Sequence, residues 1–228
     1  MNKTFFAFIF MFFLINSFAQ QPADYFFKVS QSDLKKIYHY RFLNKSLDYP
    51  ITWQCVASRT CEAAGTKYLC ATFESTNLPG KAYGKFVGMG IKETTYRFEL
   101  AEDGIYLRLL AETYRDDDGT THFSQSDIKR FFFKIPAVGQ RDEHEEIEED
   151  FAIKTTSEIV SGLSINSPTY ESVIVATQTF NDRKKNNKLA KLEKFYFAKN
   201  VGLIKYEFYG ADGKLNPSKS FELTKIQY

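Results

Sequence analysis

The sequence predicts an all-β protein, mainly antiparallel, with one short helix near its N-terminus. Three observations lead there. Aromatics make up 17% of the chain, 23 Phe and 14 Tyr against a single Trp, and Phe and Tyr suit pleated, half-buried surfaces. Strand-like runs recur at about the 8–12-residue spacing of sandwiches and barrels. The gaps between runs are too short for crossover helices, which leaves antiparallel pairing. With 6 Pro and 12 Gly in 228 residues the chain is not low-complexity, and its length suits one domain with a substantial core.

Residues 1–19 read as a signal peptide. Lys3 supplies the positive start, Phe5 to Ile15 the apolar run, and Ser17-Phe18-Ala19 the small residues of a cleavage site before Gln20. The run is short beside the ~20 residues a membrane span needs, and no later run approaches that length. The expected destination is therefore export, periplasmic or secreted, with no transmembrane segment after signal removal. Removing Lys3 takes the formal net charge from +2 to +1. That balance points to no nucleic-acid partner.

Residues 20–47 form an N-terminal segment, with a mobile start at 20–27. From Ser30 to Phe42 the spacing of Ser32, Leu34, Ile37, Tyr38 and Phe42 predicts a short helix, with Ser32 or Asp33 near its cap. An antiparallel β domain follows over 48–228. Its first strand, Ile51 to Val56, carries Trp53. Tyr68 to Glu74 follows, then Tyr83 to Ile91, where Gly84, Gly88 and Gly90 suggest a bulge or close backbone approach. Tyr96–Leu100 and Ile105–Tyr114 flank a Glu102-Asp103-Gly104 turn.

Short strands are expected at Thr121–Phe123 and Phe131–Ile135, the second closed by Pro136. Residues 137–150 are acid-rich and would be the best domain boundary, although a single extended sheet is the preferred reading. Phe151–Ser157 returns to alternation, and 161–168 reads as a loop. Tyr170–Phe180, Leu189–Phe197, Gly202–Tyr209 and Ser220–Ile226 complete about eleven strands. A polar basic tip at 181–188 and a turn at Lys199-Asn200 join the middle ones. Asn200 tolerates the positive backbone angle that turn needs. Phe195, Phe197, Tyr206 and Phe208 give the flanking strands one apolar face.

Cys55, Cys61 and Cys70 lie within one short stretch, and export permits a disulfide. A turn at Gly65-Thr66 would set Cys61 directly opposite Cys70 at a non-hydrogen-bonded position, where side chains are closest. A Cys61–Cys70 bridge is favoured, with Cys55–Cys70 as the alternative. The remaining thiol reads as a small buried hydrophobe.

Candidate chemistry is sparse. His39, His122 and His144 are far apart and unpaired in spacing, so zinc catalysis has no support. Asp116-Asp117-Asp118-Gly119 fails a calcium loop, because Thr121 and Asp127 occupy the positions that need Gly and Glu. It reads as a turn. Glu143, Glu145, Glu146, Glu148, Glu149 and Asp150 could do hydrolytic work only if two of them faced across a cleft. A solvated edge is the simpler reading. The basic tip, Arg183-Lys184-Lys185 with Lys188 and Lys191, guards a strand end against unwanted pairing. No nucleophile elbow, phosphate loop or dinucleotide fingerprint is present. No catalytic, cofactor-binding or metal-binding residue is assigned, and enzyme activity is not expected.

Tyr196-Phe197-Ala198-Lys199-Asn200-Val201-Gly202-Leu203-Ile204-Lys205-Tyr206-Glu207 resembles the "YYAKGVGLVKYE"-type signature of a family of exported β-rich proteins of unknown function, common in Gram-negative bacteria. Tyr49-Pro50-Ile51-Thr52-Trp53 is similar to that family's opening strand. Glu102-Asp103-Gly104-Ile105-Tyr106 is similar to its central "DGVY" turn. Asn200, where glycine is usual, and the cysteine cluster are departures. The resemblance covers about residues 48–228. It implies a curved extended sheet, loosely the half-barrel of periplasmic lipoprotein carriers, and no catalytic residues.

The function expected is an exported non-enzymatic protein that binds an apolar ligand or a protein partner on a curved sheet. A lipid or another envelope protein would be that partner. Trp53, Phe195, Phe197, Tyr206 and Phe208 are the expected ligand-facing side chains. An assembly protein acting through strand edges is the alternative, and a hydrolase using the acidic cluster stands behind it.

Overall fold

Strand periodicity governs nearly all of what this chain becomes. A computed structural model describes residues 22–26, 34, 36–47, 51–63, 66–77, 92–101, 104–115 and 120–228. One antiparallel sheet holds twelve strands. They are β1 (Ile37–Phe42), β2 (Ile51–Ala63), β3 (Thr66–Asn77), β4 (Lys92–Ala101), β5 (Gly104–Arg115), β6 (Thr121–Phe133), β7 (Arg141–Ile147), β8 (Phe151–Val160), β11 (Val173–Asp182), β12 (Lys188–Ala198), β13 (Gly202–Tyr209) and β14 (Phe221–Gln227). Their order across the sheet is β6-β5-β4-β3-β2-β1-β14-β13-β12-β11-β8-β7. A two-stranded ribbon, β9 (Leu163–Ser164) with β10 (Thr169–Tyr170), lies outside it.

The expected all-β, antiparallel class is what the chain adopts. The sheet's two edges are β6 and β7. Register shifts interrupt the ladders beside Tyr40, Cys55, Phe98, Tyr106, Leu107, Phe180 and Phe197. Each such irregularity bends its strand and adds right-handed twist. Accumulated over twelve strands, the bending curls the sheet until β6 meets the opposite side. The Gln178 side chain of β11 donates to the Phe131 and Phe132 carbonyls at 3.0 and 3.1 Å. Ser157 of β8 donates to Lys134 O at 2.7 Å. Arg130 forms a two-bond pair with Glu148, just past β7.

Several expectations change. Ile37–Phe42 is a strand, not the end of a helix. Tyr38 and Tyr40 are buried on one side while Arg41 is exposed, so the two-residue alternation of aromatics overrides the weaker helical spacing. Residues 30–33 lie outside the described residues. The segment expected to be a mobile start is anchored: Pro22–Tyr25 makes one helical turn, α1, and Tyr25 and Phe26 are fully buried. Thr121 to Phe133 is one strand, because pairing along β5 carries it through the polar residues between the two expected runs. The acid-rich stretch forms β7 within the same sheet. Residues 163–164 and 169–170 pair around a tip where Asn166 and Ser167 hold positive φ.

The closing hairpin agrees with the sequence. Asn200 has φ 63° and Gly202 φ 104°, and Val201 N donates back to Ala198 O. The tip at Arg183–Lys185 is a 3-10 turn whose N–H groups at 184 and 185 are accepted by Asp182. No helix among the described residues is long and apolar enough to cross a membrane.

A candidate ligand cavity on the concave face

Alternation decides which side chains enter the hollow of the curled sheet. Trp53 of β2 stacks on Tyr96 of β4 at 4.9 Å, and Tyr96 lies over Phe98 at 6.1 Å. Phe98 meets Phe132 of β6 at 5.3 Å, which meets Phe195 of β12 at 4.8 Å. The chain of rings continues through Tyr206 of β13 and Phe221 of β14, each step 5.0 Å, to Tyr40 of β1 at 5.2 Å. These offset and edge-on arrangements are the ones aromatic quadrupoles favour. Together they form an annulus contributed by seven strands.

Below the annulus the hollow is packed solid. Phe26 from the α1 segment touches Phe98, Phe133 and Phe197, while Phe133 stacks on Phe197 at 4.7 Å. Backbone and side-chain bonds pin this plug: Asn200 N donates to Asp24 O at 2.6 Å, and the Tyr25 and Ser172 hydroxyls lie 2.7 Å apart. Above the floor remains a cavity of about 270 Å³. It is walled by Trp53, Tyr96, Phe98, Leu107, Phe132, Phe195, Leu203, Tyr206 and Phe221, with Arg130, Gln178, Lys191 and Glu193 gathered on β6, β11 and β12.

The polar side is internally paired. Arg130 Nε and Nη2 donate to Glu148 at 2.7 and 2.8 Å. Burial works against the guanidinium charge, but the Glu148 bond and the charges of Glu148, Glu193 and Glu146 together outweigh it and raise the pKa. Lys191 Nζ donates to Glu193 at 2.8 Å. Burial, with Glu193 as neighbour, pushes the Tyr206 phenol far above its usual range. Gln178 is buried and spends its amide on β6.

Of the residues expected to face a ligand, Trp53, Phe195 and Tyr206 line this cavity. Phe197 does not; it is 1% exposed and forms the floor. Phe208 is half-buried on β13 outside the lining, with Lys219 Nζ 4.7 Å from its ring centre. Missed from the sequence were Phe132, Arg130, Gln178, Lys191 and Glu193. The signal for two of them was the strand phase, since Lys191 and Glu193 share the alternation of Phe195.

The acidic run alternates along β7. Glu143 and Glu145 are exposed and pair with Lys154. Lys154 holds the Glu143 pKa down. Glu146 turns inward and accepts from Phe131 N at 3.3 Å, and burial raises its pKa. Glu148 is committed to Arg130, and Asp150 to Lys184. The histidines stay apart: His144 packs on Phe131 at 4.0 Å, His39 bonds Gln227, and His122 sits far along β6. Among the described residues no group of three or more His, Cys, Asp or Glu is placed to hold a metal ion. Asp116-Asp117-Asp118-Gly119 and the glycines of 84–90 lie outside the described residues.

Cys55 is buried in the core at 2% exposure. Ala63 pairs with Thr66, so the β2–β3 hairpin is centred one residue earlier than expected. Cys61 therefore opposes Tyr68 and Cys70 opposes Arg59. The two cysteines become diagonal neighbours instead of a directly opposed pair.

No protein-family model matches the chain, and no curated protein does. The chain is similar to a solved structure described as a putative lipoprotein from Parabacteroides distasonis ATCC 8503. The identity is 10%, the alignment covers 84% of this chain and 94% of that one, and the TM-score is 0.43. A likeness of that degree speaks of neither ligand nor activity.

Proposed function

We propose that the protein is an exported binding protein, without enzymatic activity, that holds an apolar ligand in the concave face of its sheet. The observation that carries this reading is the aromatic annulus around a cavity of about 270 Å³. A cavity of ~150 Å³ lined by apolar side chains already binds benzene, so this one has room for about ten carbons. At ~0.8 kcal/mol per buried methylene, a ten-carbon chain gains about 8 kcal/mol before the costs of association and ordering. Export rests on the signal-peptide pattern of residues 1–19.

Native mass spectrometry of the protein recovered from the exported fraction tests the reading. The expected result is a mass increment from one co-purifying apolar molecule, lost after organic extraction. A homogeneous unliganded mass that stays unchanged on adding decanoate would contradict it.

A second reading, assembly through a strand edge, draws on β6. Its outer half, Thr121 to Ser126, carries no formal charge, and Phe123 is 66% exposed. The opposite edge, β7, bears Arg141, Glu143 and Glu145 outward, as protected edges do. Phe123→Lys should abolish any concentration-dependent association in sedimentation if β6 is an assembly edge, and leave it unchanged otherwise.

A further inference from the structure

We infer that the ligand is an amphiphile with an anionic head, a carboxylate or phosphate, held by Arg130 and Lys191 while its apolar tail fills the annulus. This rests on the binding reading above and adds the chemistry of the head group.

A guanidinium has five N–H donors and an ammonium three. Arg130 spends its Nε and one Nη2 donor on Glu148. Lys191 spends one on Glu193. The acceptors nearby are already engaged: Glu193 takes Lys191 and the Tyr206 hydroxyl. Gln178 points both of its donors at β6 carbonyls, leaving a single amide oxygen. Three guanidinium donors on Arg130 and two ammonium donors on Lys191 therefore stay unspent at this end.

Both cations face the same ring. Lys191 Nζ lies 4.0 Å and Arg130 Cζ 5.8 Å from the centre of Phe180. They are thus no further apart than the sum of those distances, and both line the cavity. A ligand that displaces water here must return acceptors, since a desolvated donor left unmatched is costly. An alcohol returns little, and a cationic head returns none.

Intrinsic fluorescence of Trp53 reads occupancy of the wall directly, because it is the chain's single Trp. The full mature protein is titrated in parallel with decanoate, decyl phosphate, 1-decanol and decyltrimethylammonium. The expected result is that both anions bind at least about tenfold tighter than decanol, as a charge-assisted bond of ~1.4 kcal/mol or more would give, with the ammonium weakest. Whichever anion is tighter identifies the carboxylate or phosphate source. Lys191→Gln should cost the anions about tenfold and decanol less than twofold. Arg130→Lys, which keeps the Glu148 partner charged, should cost decyl phosphate more than decanol. Decanol binding as tightly as both anions, or the ammonium binding tightest, overturns the head-group assignment alone. Failure of all four to bind overturns it together with the binding reading.

Discussion

Replacing Phe26 with alanine should destabilise the protein by about 3–5 kcal/mol, the range for deleting a fully buried phenyl ring. Phe26 is 1% exposed and its ring touches Phe98 at 4.7 Å, Phe197 at 5.5 Å, and Phe132 and Phe133 at 6.2 Å. Such ring pairs contribute ~0.5–1.5 kcal/mol beyond area burial, which places the loss in the upper half of the range. The segment itself should stay docked, because the Asp24 carbonyl and Tyr25 hydroxyl keep their partners. Urea unfolding followed by far-ultraviolet circular dichroism measures the effect. At a slope of ~3 kcal/mol per molar, a loss of about 4–5 kcal/mol lowers the midpoint by roughly 1.3–1.7 M. Val138→Ala, at a position 75% exposed, is the control and should move stability by no more than ~0.5 kcal/mol. A Phe26→Ala midpoint shift no larger than the control's would mean that the N-terminal turn does not plug the floor.

Other expectations follow from single contacts. Gln178→Leu keeps the volume but leaves the Phe131 and Phe132 carbonyls without that donor, so unfolding should show a loss of about 1–3 kcal/mol; a neutral outcome would mean the amide does not tie β6 to β11. Burial, with Tyr38 and Tyr170 nearby, pushes the Tyr40 phenol well above its usual pKa, and its hydroxyl donates to Leu203 O at 2.9 Å. Below pH ~10 that phenol is neutral in both states, and above it only the unfolded chain ionises. Stability should therefore be intact below pH ~10 and fall by about 1.4 kcal/mol per pH unit per such group above it. Urea midpoints at pH 9, 10 and 11 check this, with a shallower decline in Tyr40→Phe; identical slopes would contradict it. Diagonal strand neighbours stand roughly 7–8 Å apart, beyond the ~4.4–6.8 Å span of disulfides. Peptide mapping of the oxidised protein should thus return no Cys61–Cys70 linked peptide, and finding one would move the hairpin turn to Gly65-Thr66.

The fold class was legible because aromatic alternation repeats in almost every segment, and alternation is a local property. Gly202–Tyr209 was readable to the residue for that reason, and Tyr170–Phe180 found the strand at Val173–Asp182 with its ends off by two or three. Ile37–Phe42 was not, since its four apolar residues can satisfy a helical and a two-residue period at once, and its pairing with β2 and β14 settles the choice from outside. The burial of Tyr25 and Phe26 was equally hidden, because nothing local marks a turn that docks into a distant hollow. In the cavity, Trp53, Phe195 and Tyr206 announced themselves as aromatics on strands. Whether an inward aromatic lines a space or fills it depends on its depth in the hollow of the sheet. Phe197 has the same phase as Phe195 and sits one pair lower, against Phe133. The polar side escaped notice because Lys191 reads as part of a basic tip; the β11–β12 ladder sets Lys191 beside Phe180, and the curl of the sheet brings Arg130 to the same ring.

The central claim is that this hollow binds an apolar chain against Trp53. A brominated decanoate quenches indole only at close range, and the single Trp makes the signal unambiguous. The account expects saturable quenching with one site per chain, abolished in Phe195→Asp while that variant remains folded by circular dichroism. Quenching that rises linearly without saturating, or that is the same in Phe195→Asp, would contradict it.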